Sequence, residues 1–220
     1  MKSIIALLVL VLTSASANAA TDAQLALMAE LQGRWAEIKY SLEKEQKEKA
    51  FEQLSVKAEQ LTTENADIPE LLIWKGIIFS TYAGEKGGLG ALGLLKTARS
   101  SLEHAIEVDP KALSGSAYTS LGALFYQVPG WPISFGSDKK ARQNLELALK
   151  INPDGIDSNF FYGEFLVSEN EIEKAREVLQ HALAAAARPD RPLADKGRRQ
   201  EIKQLLSKLD KKTNSKNSSY

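Results

Sequence analysis

The sequence predicts an all-α protein, a solenoid of stacked helical hairpins, and three observations lead to this fold class. Small residues recur at one spacing in three segments, Ala98-Leu102-Ala105, Ala141-Leu145-Ala148 and Ala175-Leu179-Ala182. An apolar segment with an embedded glycine precedes each of them, at Gly76, Gly122 and Gly163. A proline follows the first two segments, at Pro110 and Pro153, and proline disfavours helix in the residue before it. Because glycine and alanine let two helices approach closely, each pair of segments predicts a hairpin.

The hairpins recur with a period that is typical of a known family. Ala141 and Ala175 are 34 residues apart. A helix–turn–helix unit of 34 residues with this pattern resembles the tetratricopeptide repeat (TPR). The resemblance covers residues 69–189, with about three recognisable repeats. It implies a TPR-like solenoid whose concave face, lined by the first helix of each unit, binds ligands.

Flanking segments complete the predicted array. Residues 20–68 read as a divergent N-terminal helix pair, since apolar residues such as Leu31 and Trp35 follow one helical stripe. Residues 190–210 predict a capping helix that covers the last apolar face. Its inward residues would be Ile202, Leu205, Leu206 and Leu209, with lysines and arginines outward. The polar tail 211–220 is predicted to be disordered.

Residues 1–19 have the layout of a secretory signal peptide. A basic start at Lys2, an apolar stretch and the small-residue site Ala17-Asn18-Ala19 follow in order. The apolar stretch is too short to cross a bilayer, which takes about 20 residues. We therefore expect export to the periplasm, with no stable membrane anchor after cleavage.

Composition argues against several function classes. The chain has no cysteine and two histidines, so a thiol nucleophile and a classical triad lack their residues. His104 and His181 occupy the same position of two separate repeats, which is too far apart for one metal site. The 28 basic and 28 acidic residues balance, so no global field predicts nucleic-acid binding. We expect no catalysis, no cofactor and no metal.

Two motifs suggest ligands but have plainer interpretations. Gly88–Gly93 matches the G-x-G-x-x-G fingerprint, yet no strand or suitably spaced acidic residue accompanies it. We interpret it as part of a flexible insertion between helices. The basic run Arg188, Arg191, Lys196, Arg198, Arg199 and Lys203 is interpreted as the solvated face of the capping helix rather than an anion site.

Two hairpins carry extra residues between their helices. The glycine and the first alanine are 22 residues apart in the first unit and 19 in the second, against 12 in the third. The first insertion includes Gly84–Gly93, and the second is the uncharged loop Gln127–Gly136. We expect Trp131 and Phe135 to pack against their own repeat, because exposed tryptophans are uncommon; presentation to a partner is the alternative. Ser137 or Asp138 would cap the next helix.

The TPR resemblance also implies which residues line the concave face. They are Ile73, Ile77, Thr119, Ala123, Tyr126, Gln127, Asp157, Phe160, Glu164 and Val167, and the loop adds Trp131 and Phe135 as candidates. Phe160 is predicted to be free to line the groove, since Tyr162 occupies a packing position. A groove with aromatic residues and few charges suits an extended peptide or a small apolar ligand.

Two functional hypotheses follow. The first is an exported, non-catalytic scaffold that binds a protein or peptide partner through its concave groove. The second is a small-molecule-binding accessory of a periplasmic transport system. The apolar segments "VPGWPISFG" and "GGLGALGLL", set between helices of a repeat array, make the layout similar to the T-component of TRAP transporters.

Overall fold

The computed structural model describes residues 21–217, with side chains described as far as Lys211. This part of the chain forms nine helices: α1 Asp22–Ser41, α2 Lys44–Glu64, α3 Pro69–Lys86, α4 Ala91–Val108, α5 Ala112–Gln127, α6 Asp138–Ile151, α7 Ile156–Ser168, α8 Ile172–Ala184 and α9 Pro192–Asn217. None of these helices is long and apolar enough to cross a bilayer. The predicted signal peptide lies outside the described residues.

The helices pair into four consecutive hairpins that stack into a solenoid. α1 packs on α2, α3 on α4, α5 on α6 and α7 on α8, while α3, α5 and α7 also contact one another in order along the stack. The predicted all-α helical repeat is thus confirmed. α9 follows the last hairpin and contacts α8, α7 and, at the other end of the chain, α1.

One glycine–leucine contact recurs in three successive hairpins. The glycine of the first helix faces the leucine of the second, as Gly76 on Leu102, Gly122 on Leu145 and Gly163 on Leu179. A Cβ atom on these glycines would come 2.5, 2.6 and 2.7 Å from the leucine Cγ atoms, and the leucines are fully buried. The repeated spacing therefore encodes the close approach of the two helices.

Sequence signals also set the ends of the helices around the second insertion. The Ser137 hydroxyl accepts a hydrogen bond from the backbone N–H of Lys140, which confirms the predicted cap of α6. Asp109 and Asn152 are the C-caps of α4 and α6, and each directly precedes a proline.

The first insertion mostly lengthens helices rather than forming a loop. α3 and α4 each span 18 residues, against 13 for α7 and α8, and only Gly87–Gly90 connects them. The prediction of a flexible segment over Gly84–Gly93 is therefore wrong for most of its length. Ala83 and Ala91, on either side of the connection, are buried, so packing outweighs the poor helix propensity of glycine.

The closing helix differs from its prediction in length and orientation. α9 runs to Asn217, beyond the predicted cap 190–210 and into the segment that was predicted to be disordered. No glycine or proline follows Gly197 to stop it. Ile202 and Leu209 are buried as predicted, but Arg198 is buried as well, with 8% of its surface exposed. Its carboxylate partners, described below, make that burial possible.

Candidate functional site

The concave side of the solenoid encloses a cavity of about 1550 Å³. The first helix of every hairpin and the closing helix each contribute to its wall, with Trp35, Ile77, Ala123, Phe160 and Leu205 as examples from α1, α3, α5, α7 and α9. Typical ligand pockets measure roughly 300–1,000 Å³. The cavity is thus large enough for a small molecule or for a stretch of peptide.

α9 spans the concave side and reaches α1, which partly encloses the groove. The Tyr40 hydroxyl of α1 donates a 3.3 Å hydrogen bond to Glu201 of α9. Burial raises the pKa of Tyr40, and although Arg198 opposes that effect, the net pKa lies above its ordinary value. Tyr40 therefore remains a protonated donor at neutral pH.

A network of charged side chains lies where α7 and α9 meet at the cavity wall. Asp157 accepts 2.8 Å hydrogen bonds from Arg198 on one carboxylate oxygen and from Arg188 on the other. Arg188 also pairs with Asp195 at 2.6 Å, and Arg198 pairs with Glu201 at 2.7 Å. The sequence pattern, which predicts a solvated basic face, is wrong for Arg188 and Arg198 because these carboxylates balance their charges inside the protein.

The surroundings keep this network ionised. Burial raises the pKa of Asp157, but the guanidinium groups of Arg198 and Arg188 outweigh it and hold the pKa well below its ordinary value. Burial lowers the pKa of Arg198, and Asp157 more than reverses the effect. Two charged arginines and their carboxylates therefore join α9 to α7.

Seven of the predicted groove residues line the cavity, namely Ile77, Thr119, Ala123, Gln127, Asp157, Phe160 and Glu164. The other candidates, Ile73, Tyr126, Trp131, Phe135 and Val167, lie outside its lining. Ile73 is fully buried in the core instead, because α3 is apolar on several faces and packs against α4 and α5. Val167 is partly buried against the same core.

Phe160 lines the cavity but is not free. Only 5% of its surface is exposed, and its ring lies 5.2 Å from that of Phe161. The guanidinium of Arg198 lies 4.2 Å from the Phe160 ring centroid. Phe160 therefore lines the cavity as predicted, but it also packs against the charged network rather than being free.

Tyr126 joins two repeats beside the cavity. Its hydroxyl donates a 2.6 Å hydrogen bond to Glu164 of α7, and the side-chain amide of Gln127 donates to the same carboxylate at 3.3 Å. Burial, followed by the charge of Glu164, raises the pKa of Tyr126 well above its ordinary value. The tyrosine is therefore a neutral structural donor that positions Glu164 on the cavity wall.

The second insertion is an ordered loop that separates its two aromatic residues. The backbone N–H of Gly136 donates to Pro129 at 3.0 Å and that of Ser137 to Phe125 at 2.7 Å, which closes the loop at its base. Phe135 packs edge-on against Phe125 with ring centroids 6.0 Å apart, as predicted. Trp131 is 90% exposed, so its predicted packing is wrong; Phe135 already occupies the place beside Phe125.

Both inter-helix connections bring exposed apolar residues to the cavity. Leu89 of the first connection is 84% exposed and Ile133 of the second is 64% exposed. Both also line the cavity. We call Leu89, Trp131 and Ile133 the apolar rim, since Trp131 belongs to the same closed loop as Ile133.

The two histidines make one repeated surface contact. His104 pairs with Asp67 and His181 with Asp154, each at 2.9 Å, and each imidazole is about half exposed. The contact links the second helix of a hairpin to the segment before its first helix. Among residues 21–211, no group of three or more histidine, cysteine or acidic side chains is arranged to hold a metal ion.

Among the contributors to the cavity wall that sequence reasoning missed are Trp74 and the segment between α8 and α9. Trp74 follows Ile73 on α3, one position away from the residue that the TPR pattern selects. Arg188 and Arg191 belong to the basic run that was assigned to solvent. The signal that could have placed arginines here is Asp157, a carboxylate at a predicted groove position that needs a cationic partner once it is buried.

The comparison with solved structures agrees with this architecture. The chain is similar to the crystal structure of a thermophilic TPR protein of Thermus thermophilus, with 21% sequence identity and a TM-score of 0.56. The match covers 82% of this chain and 80% of that one. The fold is TPR-like. No protein-family model matches the chain, and no curated protein matches it.

Proposed function

We propose that this protein is an exported, non-catalytic scaffold that binds a protein or peptide partner at the mouth of its cavity. The observation that carries the proposal is the apolar rim. Trp131, Leu89 and Ile133 stand largely in solvent on connections that are tied by their own backbone hydrogen bonds. Exposed apolar patches commonly mark interaction sites, and tryptophan is prominent among the anchors of interfaces.

The TPR-like architecture is consistent with this use. Stacked helical repeats create extended concave surfaces that are suited to binding. Here the rim stands beside a cavity whose wall combines apolar side chains with carboxylates, such as Glu164, whose positions are fixed by neighbouring helices. A partner segment that enters the cavity would keep contact with the rim outside it. Export follows from the layout of residues 1–19 and is part of the proposal.

The proposal is tested by capture from a periplasmic extract with three forms of the mature protein. Wild type and Val56→Ala should recover one protein in stoichiometric amount. Val56 is 65% exposed on α2 and does not line the cavity, and it is therefore an exposed apolar control. Trp131→Ala together with Ile133→Ser should abolish recovery while the circular dichroism spectrum stays unchanged. Recovery that is insensitive to the rim substitutions would overturn the proposal.

A second candidate, a small-molecule-binding accessory of a periplasmic transport system, is favoured by one observation. α9 reaches α1 across the concave side, through Tyr40 and Glu201, and converts the groove into a partly enclosed cavity. An extended protein ligand gains little from such enclosure, whereas a small apolar ligand gains burial. Native mass spectrometry of the purified protein should then show a bound small molecule without a protein partner.

A further inference from the structure

Arg191 differs from the two other arginines of the cavity wall. Arg188 and Arg198 each pair with two carboxylates. Among the described residues, the guanidinium of Arg191 makes no ion pair and no hydrogen bond; it lies instead over the ring of Trp74, 5.1 Å from the centroid. Both side chains line the cavity. A partly buried guanidinium without an anionic partner is unusual, since a desolvated charge is costly.

The charged network does not supply that partner. Both oxygens of Asp157 already accept hydrogen bonds from Arg188 and Arg198, and both oxygens of Asp195 accept from Arg188. Burial lowers the pKa of Arg191, and the charge of Arg188 adds to that effect, although Asp157 and Asp195 oppose it. Of the carboxylates whose charge reaches Arg191, Asp157 and Asp195 are occupied by Arg188 and Arg198, and Asp190 is exposed to solvent.

The indole of Trp74, which lies beside Arg191, has a donor without a hydrogen-bond acceptor. The indole N–H of Trp74 is buried without a hydrogen-bond partner within the described part of the chain. By contrast, the indole N–H of Trp35, on the same cavity wall, donates a 3.0 Å hydrogen bond to Thr81. Within the described residues, this corner of the cavity thus combines a guanidinium without an ion pair, aromatic surface and, beneath that surface, an indole donor without a partner.

We infer that the Arg191–Trp74 corner binds the carboxylate of a small carboxylic acid whose apolar body lies along the cavity wall. The planar fork of a guanidinium matches a carboxylate, and one unpaired arginine balances one negative charge. The remaining wall, with Trp35, Ile77 and Leu205, suits an apolar body. This inference rests on the proposal that the cavity is a binding site, and it specifies the ligand for that site.

A peptide C-terminus would present the same carboxylate, and the experiment separates these two sources. The mature protein is titrated calorimetrically with octanoate, with octanol as an uncharged probe of equal length, and with a short apolar peptide with a free or amidated C-terminus. Wild type should bind octanoate more tightly than octanol. Arg191→Gln should raise the Kd for octanoate about tenfold, the effect of losing one charge-assisted hydrogen bond. Its Kd for octanol should stay within about twofold.

Two further variants serve as controls for the role of the Arg191 guanidinium. Arg191→Lys keeps the charge without the fork and should give an intermediate Kd for octanoate. Arg34→Gln removes an arginine of α1 that is partly exposed and does not line the cavity, so it should bind like wild type. Every variant should unfold in one cooperative transition, as wild type does, because Arg191 contributes only its contact with Trp74 and Arg34 only a surface pair with Glu37.

Each result has one meaning. Equal binding of octanoate and octanol, unaffected by Arg191→Gln, overturns the carboxylate corner but leaves the cavity as a binding site. If the peptide with a free C-terminus binds and octanoate does not, the inference that the ligand is a small acid is overturned. The proposal of a peptide-binding scaffold then stands. Failure of every probe to bind overturns the corner together with the cavity as a site for small ligands, and capture by the rim then tests the scaffold separately.

Discussion

Gly197 of α9 lies directly against the ring of Tyr40 on α1. A Cβ atom at position 197 would stand 2.4 Å from Cδ1 of the tyrosine, which is closer than two such atoms can approach. The tyrosine has little room to yield, because its ring also packs edge-on against Trp35 with centroids 5.8 Å apart. This contact is where the last helix of the solenoid meets the first.

The Gly197→Ala substitution should therefore weaken the closure. We expect a loss of about 1–3 kcal/mol in the free energy of unfolding, typical of overpacking a tight contact, measured by urea denaturation. Amide exchange in α9 and α1 should rise more than in α5. Gly33→Ala is the matched control, since nothing lies within 4 Å of a Cβ atom there. It should stabilise α1 by roughly 0.5–1 kcal/mol through helix propensity. Equal behaviour of the two variants would contradict the contact.

The second prediction concerns the partners of Asp157. Asp157→Asn leaves Arg198 buried with one carboxylate fewer, and we expect a loss of about 3 kcal/mol at pH 7, the lower end for a broken buried pair. Asp154→Asn is the control, because Asp154 is 80% exposed and pairs with His181 at the surface. It should change stability by less than about 0.5 kcal/mol. A loss for Asp157→Asn no larger than for Asp154→Asn would contradict the network.

The same pair of proteins gives a prediction for pH. The pKa of Asp157 in the folded protein lies below its ordinary value, which is about 3.9 in an unfolded chain. Its stabilising effect is therefore fully present above that value and is lost as pH falls towards the folded pKa. The difference in unfolding free energy between wild type and Asp157→Asn should be constant from pH 7 to about pH 5 and shrink towards pH 3. A difference that grows on acidification would refute this assignment.

The repeated part of the fold was predictable because one contact is encoded several times. The glycine of each first helix and the leucine of each second helix recur at fixed spacing, and the structure places them in contact in all three hairpins. The course of α9 was not predictable from its own segment. Its contact with α1 joins residues as far apart as Tyr40 and Glu201, and no local periodicity reports such a pairing.

The site was predictable only where side chains follow the repeat. Ile77, Ala123 and Phe160 occupy equivalent faces of successive first helices and do line the cavity. From the sequence alone, the charge of Arg198 predicts a solvent-exposed side chain, because no local pattern identifies Asp157 as its partner. The exposure of Trp131 depends on how the loop closes over Phe135. The backbone hydrogen bonds of the loop determine that closure, and the amino-acid composition of the loop does not report it.

The loop offers a fourth prediction. Phe135→Ala should lower the unfolding free energy by about 2 kcal/mol, less than for a fully buried phenylalanine, because its ring is half-buried against Phe125 and lies under the guanidinium of Arg99 at 5.1 Å. Trp131→Ala should leave it within about 0.5 kcal/mol. Thermal denaturation of both variants provides the measurement. A larger loss for Trp131→Ala than for Phe135→Ala would show that the tryptophan packs after all.

The last prediction concerns backbone strain at the start of α5. Leu113, Ser114 and Gly115 have φ values of 46°, 54° and 75°, in the left-handed region that costs L-residues about 1–2 kcal/mol each. Ser114 is exposed, so glycine at this position should relieve strain without losing packing. We expect Ser114→Gly to raise the unfolding free energy by about 1 kcal/mol, net of the added chain entropy. Ser116→Gly, two residues on in the regular helix, should lower it, because glycine is a poor helix former and the hydroxyl of Ser116 donates to the carbonyl of Leu113. A gain for Ser114→Gly beside a loss for Ser116→Gly is the result that the left-handed backbone at Ser114 predicts, and equal signs would contradict the left-handed turn at the cavity wall.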